Sequence, residues 1–236
     1  MLYYYRRNEG IMEHLTAKIF GLTVNLDTLL TMWLCMVAII IFAFVGTRKL
    51  SIVPNKIQFL FENILGFFWD LTDTMIGKDG RRHVPLLASL FLFILVGNLC
   101  GQLPWKLYHL KQGELASPTN DINLTAAFAV IVLVYYIACG IAKKKGKFFI
   151  HGFSFVDIIL FLVELLEMFT RPLTLALRLF GNILAGEILI TAIISLCAFV
   201  LPLPFMIFEL LVAAVQALVF TMLTTVYISS AVSEEH

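Results

Sequence analysis

Long apolar runs divided by short charged breaks set the pattern of this chain. The first, 22–45, is interrupted only by Asp27 near its start and closes on Gly46-Thr47-Arg48-Lys49. A helix of that length crosses the roughly 30 Å hydrocarbon core of a bilayer, so the run predicts a membrane span with a charged stop. Over 54–76 the pattern changes: Ile57, Leu60, Phe61, Ile64, Leu65, Phe68, Leu71 and Met75 recur at helical spacing, with Lys56, Glu62, Asp70 and Asp73 elsewhere on the wheel. That predicts an amphipathic helix lying in the membrane interface. A charge-free run, 84–103, predicts a second span and closes on Pro104-Trp105, where the indole suits the headgroup boundary. After a polar loop, 122–142 predicts a third span, ended by Lys143-Lys144-Lys145-Gly146-Lys147. The remaining apolar material forms two long runs, 153–200 and 205–232. Leu201-Pro202-Leu203-Pro204 between them reads as a turn, because neither helix passes the prolines undisturbed.

The expected fold is therefore an all-α integral membrane protein, a single membrane domain over 1–236, with five membrane-spanning helices and an interfacial amphipathic helix. The last two spans form a long tilted hairpin. A 153–200 helix would be about 72 Å long, more than twice the hydrocarbon thickness, so it has to tilt, bend or leave the membrane, and Pro172 offers a place to bend. Lysine and arginine placement orients the chain. Ten lie in 46–83 and 143–152, against five in the N-terminal tail and 104–121. The positive-inside rule puts the richer loops in the cytoplasm, the N-terminus outside, and the tail 233–236 inside.

Composition agrees with a membrane chain: 60% of residues are hydrophobic, 14% are charged and the mean hydropathy is +0.92. The net charge of +1 and the lack of a basic patch interleaved with aromatics leave no nucleic-acid partner to propose. Cys35, Cys100, Cys139 and Cys197 all fall in apolar runs without CxxC spacing, which predicts neither disulfides nor a metal site. The histidines (His14, His83, His109, His151, His236) lie outside the predicted spans, and none has metal-ligand spacing. The first 20 residues hold Arg6, Arg7, Glu9, Glu13 and Lys18 but no short apolar core with a cleavage site, so no removable signal peptide is expected.

One residue resists this apolar setting. Arg178 sits near the middle of 153–200, with Asn182 one turn later and Glu187 beyond it. Arginine stays protonated in essentially any protein environment, and placing it at bilayer depth costs roughly 2.5–3.5 kcal/mol even on the lenient insertion scale. On a helical wheel Asp157, Glu164, Arg171 and Arg178 follow one another at intervals of seven, and Glu167 and Asn182 fall close to the same line, making one polar stripe on an apolar rod. Glu167 and Arg171 form an i,i+4 pair that reads as a salt-bridged, partly solvated stretch. Arg178 has no acid within one turn on its own helix, and Glu187 falls on the opposite side.

The final run adds Glu209 and Gln216, seven apart and so on one face. Three further residues carry two readings each. Asp121 is an N-cap of the third span or a channel group. Asn98 bonds a neighbouring helix or lines a channel. Glu164 lines an inner path or is solvated near the cytoplasm.

Residues 170–187, Thr-Arg-Pro-Leu-Thr-Leu-Ala-Leu-Arg-Leu-Phe-Gly-Asn-Ile-Leu-Ala-Gly-Glu, resemble the signature of subunit a of F-type ATP synthases, the stationary proton-channel subunit of the membrane Fo sector. Supporting matches are Gly97-Asn98, Leu103-Pro104, Pro118-Thr119-Asn120-Asp121-Ile122-Asn123, and Glu209 with Gln216; the first 20 residues match nothing in that pattern. The resemblance implies a subunit that is no enzyme on its own and carries no cofactor. Its role is to move protons through two offset half-channels, with a fixed arginine between them, against a rotating ring of proteolipid subunits c. It also implies a peripheral stalk (subunit b) and other synthase subunits as partners, and a place in the lipid bilayer, a bacterial inner membrane given the expected N-terminus. Arg178 matches the family's arginine, Asn182 and Gln216 its polar neighbours, and Glu187 and Glu209 the ionisable positions of the outer half-channel. Some members carry histidine where this chain has one of these glutamates, and the choice between H⁺ and Na⁺ rests with the ring.

Two other classes also place charges in membranes. A secondary transporter or ion channel often shows internal repeats or broken helices around a substrate site, and the chain has no repeat. A membrane-embedded enzyme needs a nucleophile and base or a metal set at depth, and the predicted spans hold no histidine, HExxH or Ser-His arrangement.

Overall fold

The computed structural model describes residues 4–9, 12–19, 22–48, 52, 54–77, 79–102, 118–144, 155–196 and 202–232. Trp105 with most of the polar loop, Lys145 and Lys147 of the third stop, Leu201 and the tail 233–236 lie outside the described residues. Among the described residues six α-helices make the body: α1 Leu26–Thr47, α2 Lys56–Met75, α3 Val84–Gln102, α4 Ile122–Lys144, α5 Phe155–Leu196 and α6 Pro202–Val232. Short 3₁₀ turns, Gly80–His83 and Pro118–Asn120, lead into α3 and α4. Among the described residues, five helical stretches are long and apolar enough to cross a membrane, and no more than 39% of any such stretch is buried within the protein. The rest of each faces outward through side chains such as Trp33, Ile40, Phe44, Val134, Leu166 and Phe208, as a lipid solvent requires.

This body is all-α, and ahead of it the N-terminal segment adds a feature the apolar pattern did not predict. β1 Tyr4–Glu9, β2 Met12–Ile19 and β3 Leu22–Asn25 form an antiparallel meander in sequence order. The first helix accordingly starts at Leu26 and not at 22, because 22–25 pair with Thr16–Ile19. Hydropathy alone cannot separate a short apolar strand from the first turn of a span.

At the other end of the chain the expected 201–204 turn is corrected. α6 begins at Pro202, so both prolines occupy its first turn, where no intrahelical N–H donor is needed and their φ is already helical. α5 runs for 42 residues, about 63 Å, straight through Pro172. Proline cannot donate, so the carbonyl of Met168 loses its rung there. Thr170 and Thr174 donate their hydroxyls to the carbonyls of Glu167 (3.3 Å) and Arg171 (2.9 Å) on either side. The apolar part of α5 able to cross is Leu165–Ser195, leaving the first residues of the helix outside it. The corresponding stretch around α3 reaches back to Gly80 and so includes His83, which the sequence pattern had left outside.

By mutual contacts the chain divides into two compact units. One comprises Leu50–Phe91, Ile122–Phe180 and Ala217–His236. Phe68 of α2 is fully buried in its core, with the rings of Phe67 and Phe91 edge-on at 5.2 and 5.5 Å. Thr221, Thr224 and Thr225 are also fully buried, each returning its hydroxyl to a carbonyl of its own helix, so small side chains let α6 be approached closely at no cost in unpaired donors. α2 is not among the stretches able to cross and keeps Phe59, Leu60, Phe67 and Trp69 exposed. Its end is shaped by Gly77, whose φ of +88° suits glycine; the N–H groups of Ile76 and Gly77 both donate to the Thr72 carbonyl. Arg81 then folds back on Asp73, with its Nη2 2.8 Å from the carboxylate.

The other unit comprises Met1–Lys49, Leu92–Asp121 and Gly181–Gln216. Its core includes Cys35, Ile94, Ile183 and Ala213, together with the polar side chains described below.

Gly80 lies so close to α2 that a Cβ there would stand 2.6 Å from the Thr72 carbonyl oxygen, whereas a Cβ on Gly66 would meet nothing within 4 Å. Gly80→Ala should therefore lower the midpoint of heat-induced aggregation of the detergent-solubilised protein by several degrees. Gly66→Ala should leave it unchanged or raise it, since alanine gains about 0.5–1 kcal/mol over glycine inside a helix.

Candidate functional site

Most of the buried polar side chains on the helices of the Met1-containing unit gather along α3, α5 and α6. The frame is an amide. Asn98 of α3 has no exposed surface; its Nδ2 donates to the Ala213 carbonyl of α6 at 3.2 Å, and its Oδ1 accepts from Thr119 Oγ1 at 2.7 Å. One side chain thus joins α3, α6 and the turn before α4. Gly97 beside it leaves the space into which Pro118 fits, a Cβ there standing 3.3 Å from the proline ring. The structure therefore realises the helix-bonding reading of Asn98.

The turn 118–120 carries the frame on to an acid. Asn120 donates its Nδ2 to Glu187 Oε2 at 2.5 Å, and Glu187 is only 3% exposed. Asn120 stood in the polar run ahead of the third span but was given no role by the sequence. Its signal was there: an amide in a polar cluster at the mouth of an apolar run. Asp121 stands directly before α4, and its Oδ2 accepts from Asn25 Nδ2 at 2.9 Å, so the first helix and the 118–121 segment are tied at that point.

Glu209 of α6 is buried, and its carboxyl lies against Gly186, in the space a β-carbon would need. Since Gly186 immediately precedes Glu187, the two acids are held in one neighbourhood by α5 and α6. Each can hold and release a proton, which the surrounding amides and hydroxyls do not do near neutral pH. Gln216 lies two turns after Glu209; it too is buried, and its Nε2 finds no acceptor among the described residues. Asn182 is partly buried on α5.

Arg178 is placed differently, in the unit that contains α2 and α4. It is exposed on α5, flanked by exposed Leu173 and Leu177, and its guanidinium makes no hydrogen bond or ion pair among the described residues. Arg171, seven residues earlier, is in contrast fully engaged: it pairs with Glu167 at 2.5 Å, donates to Ser230 at 2.9 Å and stacks over the Tyr227 ring at 5.2 Å. The i,i+4 pair read from the sequence is thus formed. Glu164 lies on α5, and its side chain is outside the described residues.

A family model described as the ATP synthase A chain matches residues 29–229. The sequence is also 45% identical over 225 residues to the ATP synthase subunit a of Gloeobacter violaceus, an alignment covering 95% of this chain and 90% of that protein.

Three variants test the frame. Asn98→Ala removes both bonds and leaves the Thr119 hydroxyl buried without that acceptor; equilibrium unfolding in mixed detergent should show a loss of about 1–2 kcal/mol. Gly186→Ala drives a methyl into the Glu209 carboxyl and should destabilise the fold measurably in the same assay. The shorter acid in Gly186→Ala/Glu209→Asp should restore part of that loss.

Proposed function

Because the chain belongs to the ATP synthase A chain family, we propose that Arg178 is the fixed charge that steers its proton traffic. The chain is a multi-pass membrane protein and a non-catalytic subunit of the membrane sector of ATP synthase, and it works in proton translocation together with other subunits of that complex.

The observation that carries the proposal is the state of Arg178: a permanent cation on a stretch apolar enough to span, exposed, and without a partner among the described residues. A charge with no acid to pair with among the described residues is suited to one from outside. The partner proposed is the buried carboxyl of a ring subunit c, presented in turn by each member of a rotating ring. Two opposite charges about 4 Å apart attract by about 4 kcal/mol at an effective dielectric near 20, a factor of roughly a thousand in favour of the ionised acid. A neutral ring carboxyl reaching Arg178 would lose its proton into an inner half-channel, with Glu164 as its candidate lining group. Glu187 and Glu209, with Asn182 and Gln216, would bring the next proton by an outer half-channel; Asp121 and Asn98 stand as further candidates for its lining. The buried, neighbouring placement of Glu187 and Glu209 supports a relay, because proton carriers in sequence must lie close together. Each proton crossing the membrane field releases about 2.3 kcal/mol per 100 mV, which drives rotation.

The rest of the reading follows the same line. The N-terminus lies outside and the C-terminus in the cytoplasm of a bacterial inner membrane, α2 lies in the interface, and a peripheral stalk, subunit b, holds the chain still against the ring. Lysine would replace Arg178 poorly, since a desolvated lysine can give up its proton and an arginine does not.

The test is ATP-driven acidification of inverted membrane vesicles carrying Arg178→Ala, with assembly checked by co-purification of the ring. Pumping should fall to background while the complex remains assembled. Normal pumping would overturn the proposal and leave the arginine a structural anchor.

A further inference from the structure

Within the unit containing α2 and α4, the turn before α3, the end of α4 and the last residue of α6 surround a cavity of about 450 Å³. All three ends belong to the side of the chain richer in lysine and arginine. The space equals the liquid share of about 15 waters, too much for a bare ion and enough for a headgroup.

Its lining is two-sided. Ala142 and Val232 give an apolar edge, and Arg82, Lys143, His83 and Tyr135 give donors, with Asp79 the acid among them. Asp79 Oδ2 stands 3.5 Å from both Arg82 Nη2 and Lys143 Nζ. Those separations are well beyond the roughly 2.7–2.9 Å of a close charge-assisted hydrogen bond, so one carboxylate holds two cations loosely. Deeper in, His83 is 2% exposed and its Nδ1 lies 2.9 Å from the Tyr135 hydroxyl. Its Nε2 is buried with no partner among the described residues. A buried ring nitrogen left without a partner calls for a group that supplies one.

We infer that this cavity binds the phosphate of an anionic phospholipid headgroup, gripped between Arg82 and Lys143 in place of Asp79. A phosphate diester offers several acceptor oxygens, matching the forked guanidinium and the ammonium together, where Asp79 reaches both only at long range. The apolar edge formed by Ala142 and Val232 accommodates the start of the glycerol and acyl chains, which a soluble anion would leave unused. Assignment to the inner leaflet rests on the orientation proposed above; the binding itself does not.

Native mass spectrometry of the intact, detergent-purified complex tests this with three probes: phosphatidylglycerol, phosphatidylcholine and inorganic phosphate. Phosphatidylglycerol should bind about tenfold more tightly than phosphatidylcholine, and Arg82→Gln/Lys143→Gln should remove that preference. Asp79→Asn, which deletes the competing carboxylate, should strengthen phosphatidylglycerol binding, a gain that a purely structural role for Asp79 does not produce. If inorganic phosphate binds with the same dependence on Arg82 and Lys143 while phosphatidylglycerol does not, the occupant is a free phosphate and the lipid source is overturned. Equal binding of both lipids, or phosphatidylglycerol binding unchanged in the double variant, would overturn the site altogether. None of these readings requires proton pumping, so failure here is distinct from failure of the Arg178 proposal.

Discussion

Hydrocarbon offers no water to a polar group, so each one at membrane depth has to find its partner in the chain or outside it. Much of this body satisfies that demand internally. The threonines of α6 return their hydroxyls to their own helix, Asn98 is bonded on both ends of its amide, and Arg171 divides its guanidinium among a carboxylate, a hydroxyl and an aromatic face. Against that background Arg178 stands out by contrast, since one helix carries two arginines seven apart of which, among the described residues, only the earlier is paired. The proposed function assigns that unmet demand to a neighbouring subunit.

The acids are treated in the opposite way. Glu187 and Glu209 are enclosed, and their surroundings are held by groups that do not titrate near neutral pH: the Asn120 amide, the missing side chain of Gly186, and the Asn98 joint behind them. Glycine matters here as space, since it lets a carboxyl lie directly against a helix backbone. The relay proposed for these acids needs its carriers fixed to within a fraction of an ångström while the protons move. The neutral frame of α3, α6 and the turn before α4 provides that fixity without adding competing charge.

Much of the fold was legible from hydrophobic patterning because the bilayer imposes one length scale and one polarity on everything that crosses it. The helices begin and end within a few residues of where the apolar runs do, and the largest differences have physical causes: strand pairing that takes 22–25 away from the first helix, and prolines that start α6 where they were read as the turn ahead of it. The site was legible in part. Arg178, Glu187 and Glu209 drew attention as charges in apolar runs, which is a signal a single sequence carries. The bond from Asn120 to Glu187 and the tie between Asn25 and Asp121 did not, since they join residues 67 and 96 positions apart and no periodicity relates them. Asn98 shows the limit from the other side: its sequence context permitted a channel role or a helix-bonding one, and the partners its amide bonds on α6 and in the turn before α4 were not legible in it.

Pro172 has a mechanical consequence. A helix resists bending because each rung of its ladder must stretch on the convex side, and α5 lacks the rung that would end on Met168. Under a lateral load the rod therefore yields there first. Arg178 lies six residues further along, beyond the soft point. Under the role proposed for Arg178, a push from a neighbouring subunit would be taken up there as a small reversible flexion of the rod.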